Sequence, residues 1–181
     1  MNHATSESLA LLQVGPRLNY PLHQLVGFVS ERLSNVEPEI APSITNLEEA
    51  FNSRREQYHS TRMMVILENH PTLSHFERKL GVTSLDLYNP GRDGEGFVFG
   101  ESRSPGSSGI VSTFRFVSHR PDVFDSRVKK EVAHELGHMI GLKHCTNPQC
   151  VMHQSMIVSD IDTKMSDYCD RCRRVLGESG S

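Results

Sequence analysis

Three histidines and a glutamate lie within one short stretch of the chain. From His134 to His144 it reads HELGHMIGLKH. In a helix, residues four apart share one face, so the imidazoles of His134 and His138 can reach one metal ion at about 2.0 to 2.1 Å. Glu135 lies about 100° further round the helix, where its carboxylate can hold a water molecule instead of the ion. The spacing therefore predicts a zinc site with a general base beside it.

The third histidine can join the other two only if the helix ends before it. A continuous helix would carry His144 about 15 Å along the axis from His134, too far for one ion. Gly141 can adopt the left-handed conformation that ends helices, and the chain can then bring His144 back. Three imidazoles leave one tetrahedral position for water, as in catalytic zinc sites. The ion would lower the pKa of this water toward about 7, and Glu135 would carry its proton to a leaving group.

The flanking residues predict the helix itself. From Val128 to Leu142 the chain reads VKKEVAHELGHMIGL, with apolar residues at helical spacing, which is typical of a helix with one buried face. A bare HExxH arises by chance in many helices, but all five fixed positions of HExxHxxGxxH co-occur by chance only about once in 10⁴ such sequences. We therefore expect a metal site here.

At this length the motif resembles a known family. HExxHxxGxxH followed by a methionine resembles the metzincin metallopeptidases, and HELGHMIGLKHCTNPQCVM followed by CDRC is similar to the archaemetzincins. The resemblance is strong from Val128 to about Leu176 and weaker upstream, in RREQYHS, LGVTSLDLY and FVFGES. It implies a zinc-dependent peptidase with a metzincin fold and a cleft between two subdomains. It also implies a second, structural zinc, whose ligands would be Cys145, Cys150, Cys169 and Cys172.

The spacing of the cysteines, without the resemblance, also favours a metal-binding site. All four fall between positions 145 and 172, as two closely spaced pairs that can close a tetrahedral site. A redox CxxC at 169–172 and a pair of disulfides are the alternatives. Because Cys145 directly follows His144, a zinc ion on the cysteines would also fix the direction from which His144 enters its own site. We expect Cys145→Ser to weaken catalytic zinc binding.

Size and charge are those of an ordinary globular domain. The chain has 181 residues, 36% hydrophobic and 23% charged, and a formal charge of −3, which suits one domain split by a cleft. We expect subdomains at 9–141 and 142–181. Four thiolates and two Zn²⁺ ions would leave the charge unchanged, so neither nucleic acid nor an anionic membrane is an expected partner. We expect a monomer that acts on a peptide or protein.

The N-terminal stretch carries no targeting signal that we recognise. The apolar run Leu9–Leu12 is too short for a signal peptide core or a membrane span. Together with thiols that must stay reduced to bind zinc, this predicts a cytoplasmic protein. We expect residues 1–8 to form a mobile tail.

The first half of the chain predicts a mixture of helices and strands. One amphipathic helix is marked by Leu22, Leu25, Val26, Val29 and Leu33. VEPEIAPSITN should be extended and able to include a strand, whereas NLEEAFNSRREQYHS should be helical or irregular. MMVIL at 63–67 is ambiguous, because five apolar residues suit a buried strand or a helix equally, but Ser60 and Thr61 before it favour a helix with one of them as its cap.

The second half completes a mixed α/β (α+β) fold, in which a twisted sheet supports the zinc helix. Strands are predicted at Leu80–Tyr88, Phe97–Phe99 and Ile110–Phe116. ESRSPGSSG between the last two should be a flexible, exposed hairpin arm or flap. One strand should flank the cleft, where its unpaired edge could hold an extended peptide; an edge that only faces solvent is the alternative. Asp125 or Ser126 should cap the zinc helix. CDRCRRVLG should close as a short basic helix ending at Gly177.

Three residues near the cysteines need separate interpretations. Met152 resembles the methionine that lies beneath the catalytic zinc in metzincins, as an apolar floor and not a ligand. His153 is interpreted as a solvated histidine. Tyr168 is adjacent to Cys169, so we exclude it as an oxyanion-stabilising residue.

The function expected from these residues is zinc-dependent peptide hydrolysis. Zinc would polarise the scissile carbonyl and Glu135 would act as general base. A zinc-stabilised binding or scaffold module with little turnover is an alternative, and so is a zinc hydrolase of a non-peptide amide.

Overall fold

Two β-sheets, five α-helices and two short 3₁₀ helices are present in the residues that the computed structural model describes, 6–91 and 96–177. The strands are β1 (Glu7–Gln13), β2 (Val36–Ile40), β3 (Phe51–Asn52), β4 (Gln57–His59), β5 (Arg78–Thr83), β6 (Leu87–Tyr88), β7 (Phe97–Val98), β8 (Gly100–Ser102) and β9 (Ser108–Ser112). The helices are α1 (His23–Ser30), α2 (Ser60–Asn69), α3 (Pro121–Ile140), α4 (Val158–Thr163) and α5 (Asp170–Val175). This confirms the mixed α/β fold.

The main sheet has the order β2-β1-β5-β9-β8. Its first four strands are parallel, and β8 runs antiparallel to β9 at the edge. A smaller sheet has the order β3-β4-β6-β7. Because β7 leads directly into β8, the chain passes from the small sheet to the edge of the main sheet within a few residues.

The main sheet is buried on both faces. Along β1, Leu9 and Leu11 belong to the core that includes α1 and α3, whereas Ala10 and Leu12 belong to the core that includes α2. A strand covered on both sides needs apolar residues at every position. This explains the run Leu9–Leu12. Within the described residues, no helix has both the length and the apolar character needed to cross a bilayer.

The predicted helices are largely confirmed. α1 buries Leu25 and Val29, and α2 covers the ambiguous MMVIL run. The cap predicted for α2 is wrong, because Ser60 is its first residue and its hydroxyl binds Tyr88 O and the Glu101 carboxylate. The cap predicted for α3 is also wrong. This helix begins at Pro121, and Asp125 lies inside it, where it accepts a hydrogen bond from Tyr20.

Several predicted boundaries also need correction. Residues 1–5 lie outside the described part of the chain, but Glu7 and Ser8 belong to β1 and are not a tail. The charged stretch 46–60 contains the β3–β4 hairpin, after a 3₁₀ turn at Glu48–Ala50. The strand predicted at 80–88 divides into β5 and β6, which lie in different sheets. β9 ends at Ser112, four residues earlier than predicted.

The segment predicted as a flexible arm is a short hairpin fixed to its surroundings. Residues 101–102 and 108–109 lie in β8 and β9, which pair in register. At its tip, the Gly106 N–H donates to Met139 O, and Arg78 donates to both Gly106 O and Met139 O. The hairpin is therefore attached to the end of α3 by hydrogen bonds.

Candidate metal centres

Helix α3 ends where the sequence predicts. Gly141 is left-handed, with φ +107°. Its N–H donates to His138 O at 2.9 Å, and the Leu142 N–H donates to Gly137 O at 2.8 Å, as in glycine-terminated helices. The turn brings His144 back toward the helix, so the ring centroids of His138 and His144 lie 4.8 Å apart. The glycine turn is confirmed.

Backbone carbonyls set the orientation of two imidazoles. His134 Nδ1 lies 2.8 Å from Val151 O, and His138 Nδ1 lies 2.8 Å from Leu142 O. A carbonyl oxygen can only accept, so each Nδ1 carries the proton and each Nε2 carries a lone pair. Metal-ligating histidines are commonly held in this way.

The three rings fit a zinc ion. One ligand atom from each of His134, His138 and His144 lies within 4.8 Å of the others. The Nε2 atoms of His134 and His138 are 3.2 Å apart, close to the about 3.3 to 3.4 Å that separates two tetrahedral ligands at 2.0 to 2.1 Å from zinc. Two lone pairs at this distance repel each other unless a cation lies between them. The donor set therefore suits a metal ion.

His134 is kept neutral by its surroundings. It is buried, and desolvation, the Lys164 charge and the neighbouring His138 hold its pKa well below 6.5. A neutral imidazole is the form that binds metal. Lys164 Nζ donates to Val151 O at 3.1 Å, so the oxygen that orients His134 has two donors.

Glu135 lies against strand β8 of the main sheet. Only 4% of it is exposed, and the Ser102 hydroxyl donates to its Oε2 at 2.5 Å. A Cβ on Gly100 would lie 2.7 Å from its Oε1, so a larger residue there would displace the carboxylate. Strand β8 therefore contacts Glu135 directly, through Gly100 and Ser102.

Met152 packs beneath α3. It is fully buried, and a Cβ on Gly137 would lie 2.4 Å from its sulfur atom. This agrees with the predicted apolar floor. The Tyr168 hydroxyl donates to Ala133 O at 2.7 Å inside the protein, which supports its exclusion from the site. The prediction that His153 is solvated is only partly right. Its side chain is partly buried, and its Nδ1 lies 2.9 Å from Cys145 O.

The four cysteines form a second cluster. Their sulfur atoms all lie within 4.8 Å of one another, and the pairs Cys145–Cys169 and Cys150–Cys172 are each 3.8 Å apart. Two sulfurs at 2.3 Å from a tetrahedral zinc are about 3.8 Å apart, whereas a disulfide measures about 2.05 Å. All four are free thiols, so the disulfide alternative does not describe this structure.

The surroundings shift the pKa values of the cysteine thiols in different directions. Burial raises the pKa of Cys150, and burial and the nearby Cys150 raise that of Cys172. Burial also raises the pKa of Cys169, but hydrogen bonds from the Cys172 N–H and from neighbouring thiols outweigh it and lower the pKa to about 7. A metal that binds all four as thiolates must displace protons, so its affinity depends on pH.

A cleft of about 460 Å³ runs along the histidine site. It is lined by β7 and the start of β8, by α3, by His144 and by the segment after Met152. The lining residues include Phe97, Val98, Phe99, Gly100, Glu131, His134, Glu135, His144, Gln154, Ser155 and Met156. The eight predicted site residues thus fall into two groups: the three histidines with Glu135, of which His134, His144 and Glu135 line the cleft, and the four cysteines in a separate cluster.

Sequence reasoning missed the residues that support the site. Ser102 and Gly100 contact Glu135, Val151 O orients His134, and Lys164 donates to Val151 O. None of these four belongs to a metal-ligand pattern. Gly100 and Ser102 adjoin the predicted strand Phe97–Phe99, and only the pairing of β8 with β9 brings them to α3. No signal in a single sequence indicates these contacts.

Comparison with known proteins gives a consistent result. The model of peptidase family M54 matches residues 26–178. The archaemetzincin of Methanopyrus kandleri is 39% identical over 129 residues, which cover 71% of each chain. That of Archaeoglobus fulgidus is 36% identical over 141 residues, covering 78% of this chain and 82% of the relative.

Solved structures agree with the sequence comparison. The crystal structure of the Methanopyrus kandleri archaemetzincin has a TM-score of 0.86 at 32% identity, covering 98% of this chain and 96% of that one. The Archaeoglobus fulgidus archaemetzincin, complexed with malonate, has a TM-score of 0.75 at 30% identity, covering 92% and 98%. A zinc-dependent peptidase from Methanocorpusculum labreanum has a TM-score of 0.70 at 28% identity, covering 92% and 99%.

Fold and site together define a zinc metallopeptidase of the metzincin type. The defining features are the long helix with its paired histidines, the glycine turn to the third histidine, and the buried methionine beneath. The chain belongs to peptidase family M54, the archaemetzincins.

Proposed function

We propose that the chain hydrolyses peptide bonds at the cleft, with zinc held by His134, His138 and His144 and with Glu135 as general base. The convergence of the three imidazoles within 4.8 Å beside a buried glutamate carries this proposal. His134, His144 and Glu135 line the same cleft, so an ion, a water molecule and a substrate carbonyl can meet there.

The roles of the residues follow from their positions. When bound, zinc supplies a Lewis acid that polarises the scissile carbonyl and makes water more acidic. Glu135 takes a proton from the attacking water and delivers it to the nitrogen of the leaving amine. Val151 O and Leu142 O accept the Nδ1 protons of His134 and His138, so their Nε2 atoms would be the ones that bind the ion.

A second zinc ion on Cys145, Cys150, Cys169 and Cys172 completes the proposed cofactor content. Its role is structural, because four thiolates leave no position for substrate. The sulfur separations of 3.8 Å support it. Cys145 is adjacent to His144 in the chain, so the cysteine cluster also determines where the third imidazole enters.

Strand β8 is the proposed support for an extended peptide or protein substrate. It is one of the two edge strands of the main sheet, and Gly100 on it lines the cleft. A peptide can add to such an edge through backbone hydrogen bonds. We further propose that the cleft divides the chain into subdomains at 9–141 and 142–181, since residues of both line it.

Setting and partners are proposals as well. Reduced cysteines suit a reducing compartment, and we propose the cytoplasm. The formal charge of −3 favours neither nucleic acid nor an anionic membrane as a partner. We propose that the chain acts as a monomer, which sedimentation of the zinc-loaded protein would test.

The test is digestion of a peptide library by the zinc-loaded protein and by Glu135→Gln, with products identified by mass spectrometry. The wild type should cleave peptides. Glu135→Gln should retain its zinc, but its rate of hydrolysis should be about 10²- to 10⁴-fold lower. Turnover retained by Glu135→Gln would refute the role of the glutamate. A zinc-loaded wild type that cleaves no peptide would favour a binding module or a hydrolase of another amide.

A further inference from the structure

The Ser102 hydroxyl holds the carboxylate of Glu135 from the sheet side of the cleft. It donates to Glu135 Oε2 at 2.5 Å, a length typical of O–H···O⁻ hydrogen bonds, which are about twice as strong as neutral ones. Because Glu135 is only 4% exposed, bulk water competes little for this oxygen. The hydroxyl is therefore a strong restraint on the carboxylate.

The main sheet determines where this hydroxyl lies. Ser102 is the last residue of β8 and pairs with Gly109 of β9. Residues two apart in a strand share one face, so Gly100 and Ser102 both face Glu135. Gly100 provides the space, since a Cβ there would lie 2.7 Å from Oε1, and Ser102 provides the donor.

One held oxygen fixes the position of the other. The terminal torsion of a glutamate has a broad energy profile, so the carboxylate plane is poorly defined unless a partner selects it. With Oε2 bound by Ser102, Oε1 lies beside Gly100, a residue of the cleft wall. Proton transfer requires the accepting oxygen to be placed within hydrogen-bond reach of the donor.

We infer that Ser102 is a positioning residue for the general base, an inference that rests on the function proposed above. It orients the Glu135 carboxylate for proton transfer, and no bond is made or broken at its own oxygen. An interaction that matters mainly in the transition state affects kcat more than KM.

The neighbouring strand supplies a matched control. Ser108 on β9 donates to Glu68 Oε1, also at 2.5 Å. Glu68 belongs to α2, which packs on the opposite face of the main sheet from α3. Ser108→Ala therefore removes the same kind of bond from the same hairpin, away from the cleft.

The experiment compares Ser102→Ala, Ser102→Thr and Ser108→Ala with the wild type, all loaded with zinc. Removal of a hydrogen bond to a charged group predicts a fall in kcat of about 10- to 100-fold for Ser102→Ala, with KM and zinc content little changed. Ser102→Thr keeps the hydroxyl and should recover most of the rate. Ser108→Ala should retain wild-type kcat.

Binding of a phosphinic peptide, measured by calorimetry, gives a readout without turnover. Such a transition-state mimic should bind Ser102→Ala more weakly than wild type by a similar factor. If the wild type cleaves no peptide, the proposed function fails, whereas equal binding by wild type and Ser102→Ala overturns the role of Ser102.

Unchanged kcat in Ser102→Ala, or an equal fall in Ser108→Ala, would also overturn the inference. Should Ser102→Ala fail to retain zinc, Gly100→Ala tests the same arrangement, because its Cβ would displace Oε1. Wild-type kcat in Gly100→Ala would then overturn it.

Discussion

Replacement of Gly141 by alanine should destabilise the protein, although there is room for the new methyl group. The Cβ would meet only Pro105 Cβ, at 3.8 Å, which is ordinary contact. The loss of stability therefore comes from the backbone, because residues other than glycine rarely adopt a φ of +107°. A residue forced into this region loses about 1 to 2 kcal/mol.

Gly27 provides the opposite control. It lies inside α1, and a Cβ there would meet nothing within 4 Å. Alanine is the better helix former, so Gly27→Ala should stabilise the protein by about 0.5 to 1 kcal/mol. The two substitutions are chemically identical and should shift the free energy of unfolding in opposite directions.

Urea unfolding of the zinc-loaded variants measures both changes. If the left-handed turn at Gly141 brings His144 to the other imidazoles, Gly141→Ala should also weaken zinc binding at the histidines. Gly141→Ala with wild-type stability and wild-type zinc affinity would refute the argument that this turn assembles the site.

Three further predictions concern the site. Cys145→Ser should weaken zinc binding at the histidines as well as at the cysteines, because His144 is then held less firmly in position. Competition with a chelator measures both affinities, and an unchanged affinity at the histidines would disprove the coupling. Burial lowers the pKa of His134, so a folded chain without zinc there cannot take up the proton that the unfolded chain binds. Its free energy of unfolding should fall by about 1 kcal/mol from pH 6.5 to 5.5, and His134→Gln should reduce this dependence in urea titrations; equal slopes would contradict it. Gly100→Ala should lower kcat by displacing Glu135, whereas its zinc content should match wild type by metal analysis.

The residues of the site could be predicted because their chemistry depends on local spacing. Helical geometry places His134 and His138 on one face, and a glycine is the residue expected where a helix ends. The four cysteines likewise lie close together in the chain. The sequence pattern therefore contains most of the information about both clusters.

The supporting contacts could not be predicted because they depend on tertiary structure, namely strand pairing for Ser102 and the packing of two loop segments for Lys164. Ser102 reaches Glu135 across 33 positions of sequence, and Lys164 reaches Val151 O across 13. Neither contact follows from the periodicity of its own segment. The run Leu9–Leu12 could not be identified as a strand either. A strand that is buried on both faces lacks the alternation of apolar and polar residues that identifies strands.

Cap predictions failed for a related reason. Asp125 is a good capping residue by type, but α3 begins earlier, at Pro121, and proline is favoured in the first turn. Asp125 binds Tyr20 and Lys129 instead. Tertiary contacts thus override the local preference.

We expect three imidazoles to hold one zinc ion and four thiolates to hold another. Metal analysis of purified wild type, His138→Gln and Cys172→Ser measures this. The wild type should contain two zinc ions per chain, and each variant about one. A wild type with a single ion, or a His138→Gln variant that retains two, would contradict it.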